Sequence, residues 1–316
     1  MVIGIGDKHA ARHPEEDAIV HRLASCHARI RAALAEARAL ARGAGSAEAR
    51  RASAEAVARY FRVALPLHAE DEDRLIAPHL PETSAELSAR LAAEHADIDA
   101  QLPRLLEQWD RWAVGASEAP SVDHVERVER LARALETHLD LEELELFPQV
   151  ETIPTVVARS LGAAMQLRRR RPEEPVYRFE AIDASLPLVP LAGRRALDAA
   201  GRKLSLESWR AMPLPRRREI VAHGSAERVE VEKVRAALVG FPCPVIEGRP
   251  DPDAAHVPGA VRAALGPDVE LDDLRWSVLR ALDRWAFASL ADRGRFDGLR
   301  TLAAELGVIT PRPPGG

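Results

Sequence analysis

The sequence predicts an all-α protein: an N-terminal antiparallel four-helix bundle followed by a second, mostly helical domain. Three observations carry this. Ala, Leu, Arg and Glu dominate while aromatic residues make up 4% of the chain, a palette that favours helix over sheet. Apolar residues recur at three- and four-residue spacing, and no segment shows convincing strand alternation. Charge is divided unevenly along 316 residues, a length that fits about two domains. Residues 1–150 hold 18 Lys and Arg against 27 Asp and Glu, a net of −9, and the remainder carries +4. Nine of the eleven histidines also fall in the first 150 residues.

Each bundle helix is bounded by a Gly, a Pro or a Ser cap. The first is expected from about Pro14 to Ala41, ending near Gly43 and Gly45. The second runs from Ser46 to Pro78, the third from Ser84 to Ala113 with a stop at Gly115, and the fourth from Ser121 to Pro148. Short connections between long helices describe an antiparallel bundle over residues 1–150. Residues 151–175 read as a further helix, Pro154 to Leu167, and a linker of four arginines, Arg168 to Arg171, before two prolines. Residues 176–316 form the second domain. Its helical segments are expected at Pro190–Ala200, Ser205–Ala211, Pro215–Ala222, Ala226–Val239, Leu271–Ala291 and Phe296–Leu306, with loop between Phe241 and Pro267.

Composition narrows the function. With 47% hydrophobic and 29% charged residues the chain can bury real cores. Its two cysteines, Cys26 and Cys243, rule out a disulfide scaffold and a four-cysteine metal site. A net charge of −5 gives no drive toward nucleic acid. No apolar run reaches the length of a membrane span and no signal-peptide layout is visible, so a soluble, cytoplasmic protein is expected.

The strongest signal is an internal repeat. His68 and Glu72, then Pro78, match His138 and Glu142, then Pro148: both read H-x3-E-x5-P, 70 residues apart. His27-Ala-Arg-Ile30 and His95-Ala-Asp-Ile98 echo one another at nearly that interval. Residues i and i+4 share a helix face. The stripes Leu23–His27–Ile30–Leu34, Ala64–His68–Glu72–Ile76, Leu91–His95–Ile98–Leu102 and Leu131–Leu135–His138–Glu142 therefore point all six polar groups at the core. Unpartnered, such groups are strongly unfavourable there. A metal pair resolves this: two bridging carboxylates plus two histidines per ion give four protein ligands each, leaving open positions. Imidazole with carboxylate suits iron or manganese, with zinc as a further option. Glu70 and Asp99 are candidates for supporting groups behind the ligands. His9, His13, His21, His79, His124, His223 and His256 read as surface residues. Cys26 and the tryptophans Trp209, Trp276 and Trp285 read as packing residues.

The stretches SCHARI, LHAEDEDRLIAPHL, AEHADID and THLDLEELELFPQV resemble the hemerythrin-like, or HHE, cation-binding domain over residues 15–150. The resemblance implies a non-haem di-iron centre on His27, His68, Glu72, His95, His138 and Glu142. Oxygen-carrying members use a fifth histidine on the third helix. Here Leu91 and Asp99 stand four residues either side of His95, which turns the expectation from oxygen storage toward sensing of O2, NO or iron, or slow redox chemistry.

Tyr177–Glu180, Leu197–Trp209, Arg216–Glu219, Leu282–Leu290 and Glu305–Gly307 resemble the nitrate reductase-associated protein family over about residues 176–310. This implies a partner in nitrate metabolism. That family usually shows cysteines near the positions of Leu188 and Gly224, so a thiol role does not carry over. In the residues themselves, Gly201 is expected to close a helix, Ser205 to cap the next, Leu204, Leu206 and Trp209 to pack, and Asp198 to pair with Lys203. Two other readings of the whole chain remain open: a di-iron redox enzyme or iron donor, and a metal-free helical adaptor.

Overall fold

The structure is a computed structural model that describes residues 19–116, 118–169, 175–266, 269 and 271–308. The expected helix start at Pro14, His9 and His13, and the linker residues Arg170 to Glu174 lie outside the described residues. Every regular element among the described residues is helical, with one isolated bridge between Arg202 and Val245. The chain divides into two units, Met1–Gly162 and Ala163–Gly316.

The first unit contains α1 (Ile19–Ala41), α2 (Ala47–Arg59), α3 (Leu65–Glu70), α4 (Ala85–Ala113), α5 (Val122–Leu141) and α6 (Phe147–Val150). Serines cap two of them: Ser46 accepts the Ala49 N–H and Ser121 the His124 N–H, offsetting donors that a helix start leaves unpaired. Cross-helix pairs fix the directions. On α1 and α5, Arg38 meets Glu129 and Glu136 while Arg31 meets Asp140. Arg62 meets Asp110 and Asp73 meets His95, so the second helical rod and α4 also run in opposite senses. Arg90 with Glu145 and Glu94 with His138 do the same for α4 and α5. The result is the antiparallel bundle expected. Its core holds Ile30, Leu34, Val57, Phe61, Leu102, Leu105, Trp109, Leu131 and Leu135. Each such side chain stabilises by roughly 1.5–3 kcal/mol when fully buried.

The second rod is not the uniform helix the periodicity suggests. Three wide π turns interrupt it and its counterpart: Tyr60–Ala64, Asp71–Ile76 and Glu142–Leu146. In each, an N–H reaches back five residues: Leu65 to Tyr60, Ala77 to Glu72, and Phe147 to Glu142. A proline follows at once, Pro66, Pro78 and Pro148. Proline lacks an N–H and crowds the carbonyl four residues back, and widening the preceding turn relieves both problems. Pro148 therefore does not stop its helix, which continues through α6, and Pro78 sits in a 3-10 turn, Ala77–His79.

Helix α7 (Thr155–Arg169) crosses the division between the units. The second unit then contains α8 (Leu191–Ala199), α9 (Leu206–Ala211), α10 (Leu214–Ser225), α11 (Val231–Ala237), α12 (Gly259–Leu265), α13 (Asp273–Ser277), α14 (Ala281–Asp292) and α15 (Phe296–Glu305). Helix α14 is buried from Ala281 to Ala291 on every side, the mark of a central core helix. Trp209, Trp276 and Trp285 are core residues, as expected. Helices α8 and α10 approach so closely that a Cβ at Gly224 would lie 1.8 Å from the Ala192 carbonyl oxygen. No other residue type fits there without backbone movement, so the position has no room for a thiol.

Several boundaries differ from the sequence expectation. The expected helix 271–291 is two, α13 and α14. Arg280 between them is extended, and Asp283 reaches back to accept its N–H. An arginine at that cap position carries none of the usual start signal. The expected helix 226–239 shrinks to α11, because buried Arg195 claims the Ala226 and Glu227 carbonyls. The expected loop 241–267 holds α12, anchored by Val261 and Leu265. Gly201 closes α8 at φ +62°, and Ser205 caps α9 by accepting the Ser208 N–H at 3.0 Å. Leu206, however, is exposed, and Asp198 faces Arg293 at 3.9 Å in place of Lys203.

Candidate metal centre

Four stretches of the bundle deliver the six polar residues: His27 from α1, His68 and Glu72 around the end of α3, His95 from α4, and His138 and Glu142 around the end of α5. All six are buried. Both H-x3-E pairs straddle the change from α-helix to π turn. Each glutamate opens or lies within the wide turn, and its carbonyl takes the five-residue bond. Single wide turns of this kind occur frequently at functional sites.

The ligating atoms form two overlapping sets: His27, His68, Glu72 and Glu142, and Glu72, His95, His138 and Glu142, each with its atoms within 4.8 Å of one another. The two carboxylates belong to both. His27 Nε2 lies 2.8 Å from Glu142 Oε2, and His95 Nε2 lies 3.3 Å from Glu72 Oε2. These approaches are close but misaligned for hydrogen bonding. Nine buried atoms have no hydrogen-bond partner: Nε2 of His27, His95 and His138, both ring nitrogens of His68, and all four carboxylate oxygens of Glu72 and Glu142. A buried unsatisfied polar group costs about 1–3 kcal/mol. These nine face one another as imidazole–carboxylate contacts, which offsets part of that cost and leaves the rest to be met. Shared cations placed among these atoms would satisfy them at once, so the donor set fits a metal pair.

Electrostatics agree. Burial opposes charge on both carboxylates. At Glu142 the imidazoles of His138, His27, His68 and His95 outweigh burial and hold the carboxyl well below its ordinary value. At Glu72 burial, reinforced by the neighbouring Glu142 charge, pushes the carboxyl well above it. Burial lowers His68. At His95 it is outweighed by Glu142 and Asp73, and the imidazole is raised. Two adjacent carboxylates that cannot both ionise comfortably are what a bound cation relieves.

The outward ring nitrogens are held by carboxylates. His27 Nδ1 pairs with Glu143 at 2.8 Å, His138 Nδ1 with Glu94 at 2.8 Å, and His95 Nδ1 with Asp73 at 3.2 Å. Donation outward leaves Nε2 as the lone-pair nitrogen facing the centre. Arg31, at 2.7 Å, holds Glu143 below its ordinary value, so the acceptor is anionic. His68 differs: its Nδ1 faces inner Glu72 at 3.4 Å. The Phe147 ring, 5.0 Å from His27, adds an apolar neighbour.

The structure therefore brings together all six residues singled out as ligands. It does not bring Asp99 to them, which is exposed, and Glu70 is half-buried. The supporting carboxylates are Glu143, Asp73 and Glu94, which the sequence reading missed. Glu143 directly follows Glu142 and Asp73 directly follows Glu72, so adjacency to the repeat was the available signal. Glu94, next to His95, supports a different helix's histidine, and nothing local reveals that. His124 is another correction. It is buried against Trp112, ring centroids 4.8 Å apart, and is no surface residue. His21, His79 and His256 are exposed and His223 is half-buried. Cys26 is buried as a packing residue.

Residues 18–150 match the family model of the hemerythrin HHE cation binding domain. Residues 176–298 match that of the conserved nitrate reductase-associated protein. Comparison with curated proteins and with solved structures gives no significant match. The chain thus joins a region similar to the hemerythrin HHE domain to a region similar to the nitrate reductase-associated protein, and among the described residues no helix is long and apolar enough to cross a membrane.

Proposed function

We propose that the N-terminal unit is a non-haem di-iron centre that binds or senses O2, NO or iron, and that the second unit links its state to nitrate metabolism. The observation that carries this is the set of nine buried atoms without an aligned hydrogen bond on six residues, arranged as two four-residue groups sharing Glu72 and Glu142. His27 and His68 would hold one ion and His95 and His138 the other, with Glu72 and Glu142 available to both. Such a pair would supply redox electrons and open coordination positions for a small diatomic. Manganese or zinc fits the same donors less well for that task.

The chain's own residues set the terms. Glu143, Asp73 and Glu94 orient three imidazoles and fix their tautomers. The buried surroundings keep bulk water from the donor atoms. No fifth histidine stands beside His95: Leu91 is buried apolar and Asp99 is exposed. This favours sensing over reversible oxygen storage. Cys26 and Cys243 form no disulfide with one another, which suits the reducing cytoplasm. Neither nucleic acid nor membrane is a required partner on this reading, and a nitrate-metabolism protein is the inferred one.

The test is metal content by mass spectrometry on untagged full-length protein, with absorption spectra oxidised and reduced. Near two irons per chain, with near-ultraviolet bands that bleach on reduction, is the expected result. No metal after anaerobic iron loading would overturn it and leave a helical adaptor. Sustained peroxide consumption with a reductant would instead favour the enzyme reading.

A further inference from the structure

The second unit holds a concave site that the metal centre does not use. A cavity of about 770 Å³ lies between the segment 175–186 and one face of α10. Its wall is apolar at Val176, Ile182, Leu186 and Val221, and guanidinium-bearing at Arg178 and Arg218. That volume is within the range of small-molecule pockets, whose usual makeup is an apolar lining with a few convergent polar groups.

The wall is built and braced from outside. Ala181 at φ +50° and Leu186 at φ +51° are the two non-glycine residues with left-handed backbone among the described residues, and both line this cavity. Such conformations persist where the surroundings impose them, and they cluster at ligand sites. The surroundings here are explicit. Glu180 accepts the N–H groups of Tyr177 and Leu191, and Glu305 accepts those of Arg178 and Phe179. Trp209 and Arg217 both donate to the Leu186 carbonyl, at 2.8 and 2.9 Å. The Tyr177 hydroxyl is committed to Asp283 at 2.6 Å. Those backbone groups and the Tyr177 hydroxyl are thus spent on bracing.

What remains for a ligand is hydrocarbon and positive charge. The Arg178 guanidinium has no partner among the described residues. Arg218 makes a single long bond, 3.4 Å, to the Ala184 carbonyl. The one carboxylate in the lining, Asp183, is taken by the backbone N–H and hydroxyl of Ser185. We propose that this cavity binds a small anion with an apolar body, a medium-chain carboxylate, its tail along Val176, Ile182 and Val221 and its carboxylate at Arg178 and Arg218. A guanidinium recognises a carboxylate by charge-assisted paired hydrogen bonds, and the braced wall lowers the ordering cost of binding.

The test is calorimetry on the full chain with octanoate, and with 1-octanol as its uncharged counterpart. One octanoate per chain is expected, with octanol about tenfold weaker, the usual scale of a charged hydrogen-bond pair. The Arg178→Ala/Arg218→Ala double variant should bring octanoate down to the octanol level. Ala222→Trp, at an exposed position in the lining, should abolish both while circular dichroism and metal content stay unchanged. Absence of octanoate binding, equal affinity for octanoate and octanol, or binding that survives Ala222→Trp would each overturn the proposal.

Discussion

Both units bury charge, and Arg195 in the second unit and the six-residue cluster in the bundle treat it in opposite ways. In the second unit Arg195 is fully buried, and its guanidinium is fully occupied: two bonds to Asp251 at 2.8 and 2.6 Å and one each to the Gly224, Ala226 and Glu227 carbonyls. It ties off the carbonyl end of α10. Asp283 is likewise shared between Tyr177 and Arg280. In the bundle, six residues meet in the core and nine of their atoms are left over. A buried charge with every bond made is architecture. A buried cluster with bonds missing is a socket. The difference lies in the bonds, since burial itself is similar in both.

This contrast can be broken by substitution. The largest effect is expected at Arg195→Met, which strands Asp251 and three carbonyls. Arg195 is fully buried but the Asp251 side chain is one-third exposed and rehydrates, so the loss comes mainly from the stranded carbonyls, about 1–3 kcal/mol for each one left buried, read as a lower midpoint in urea. The bundle should respond with the opposite sign. In chelated, metal-free protein, His68→Leu removes two orphaned nitrogens from an apolar stripe and should raise stability by about 1–2 kcal/mol. The same variant should forfeit the stabilisation that added iron gives the wild type. If metal-free His68→Leu is markedly less stable, its nitrogens are satisfied and the socket reading fails.

Next in size is Glu94→Gln, which weakens the acceptor behind His138 while sparing the inner donors. Outer partners of this kind typically govern 10–100-fold in metal affinity, measurable by competition with a chromogenic chelator. The smallest effect concerns His124. Burial holds its imidazole below the ordinary value of 6.5. The unfolded chain takes up a proton near that value and the folded one resists, so stability falls as pH drops below it. His124→Phe should flatten the loss between pH 7 and 5 by about 1 kcal/mol or less, seen in denaturation midpoints at the two pH values.

The bundle and its six inner residues were legible because the repeat is local: H-x3-E on one helix face states its own geometry. The carboxylates behind the histidines were not, since Glu94 serves a histidine 44 residues away and such pairing follows from helix packing. In the second unit the tryptophans announced a core. The split at Val278–Arg280 did not show, because its cap is an arginine whose N–H is taken by Asp283. Nor did α12, only seven residues long among prolines.

The wide turns have a consequence for comparing this chain with others. Each five-residue bond spends one more residue than an α-helix needs for the same turn. Beyond Glu72 and beyond Glu142, the register is therefore offset by one from that of an uninterrupted helix. A related protein that closed either turn as ordinary helix would align with a one-residue gap just past the glutamate, and its downstream side chains would be rotated by about 100°. Insertions inside helices are usually read as errors of alignment. Here a gap at that point would mark where the bundle bends its own rule to seat a carboxylate.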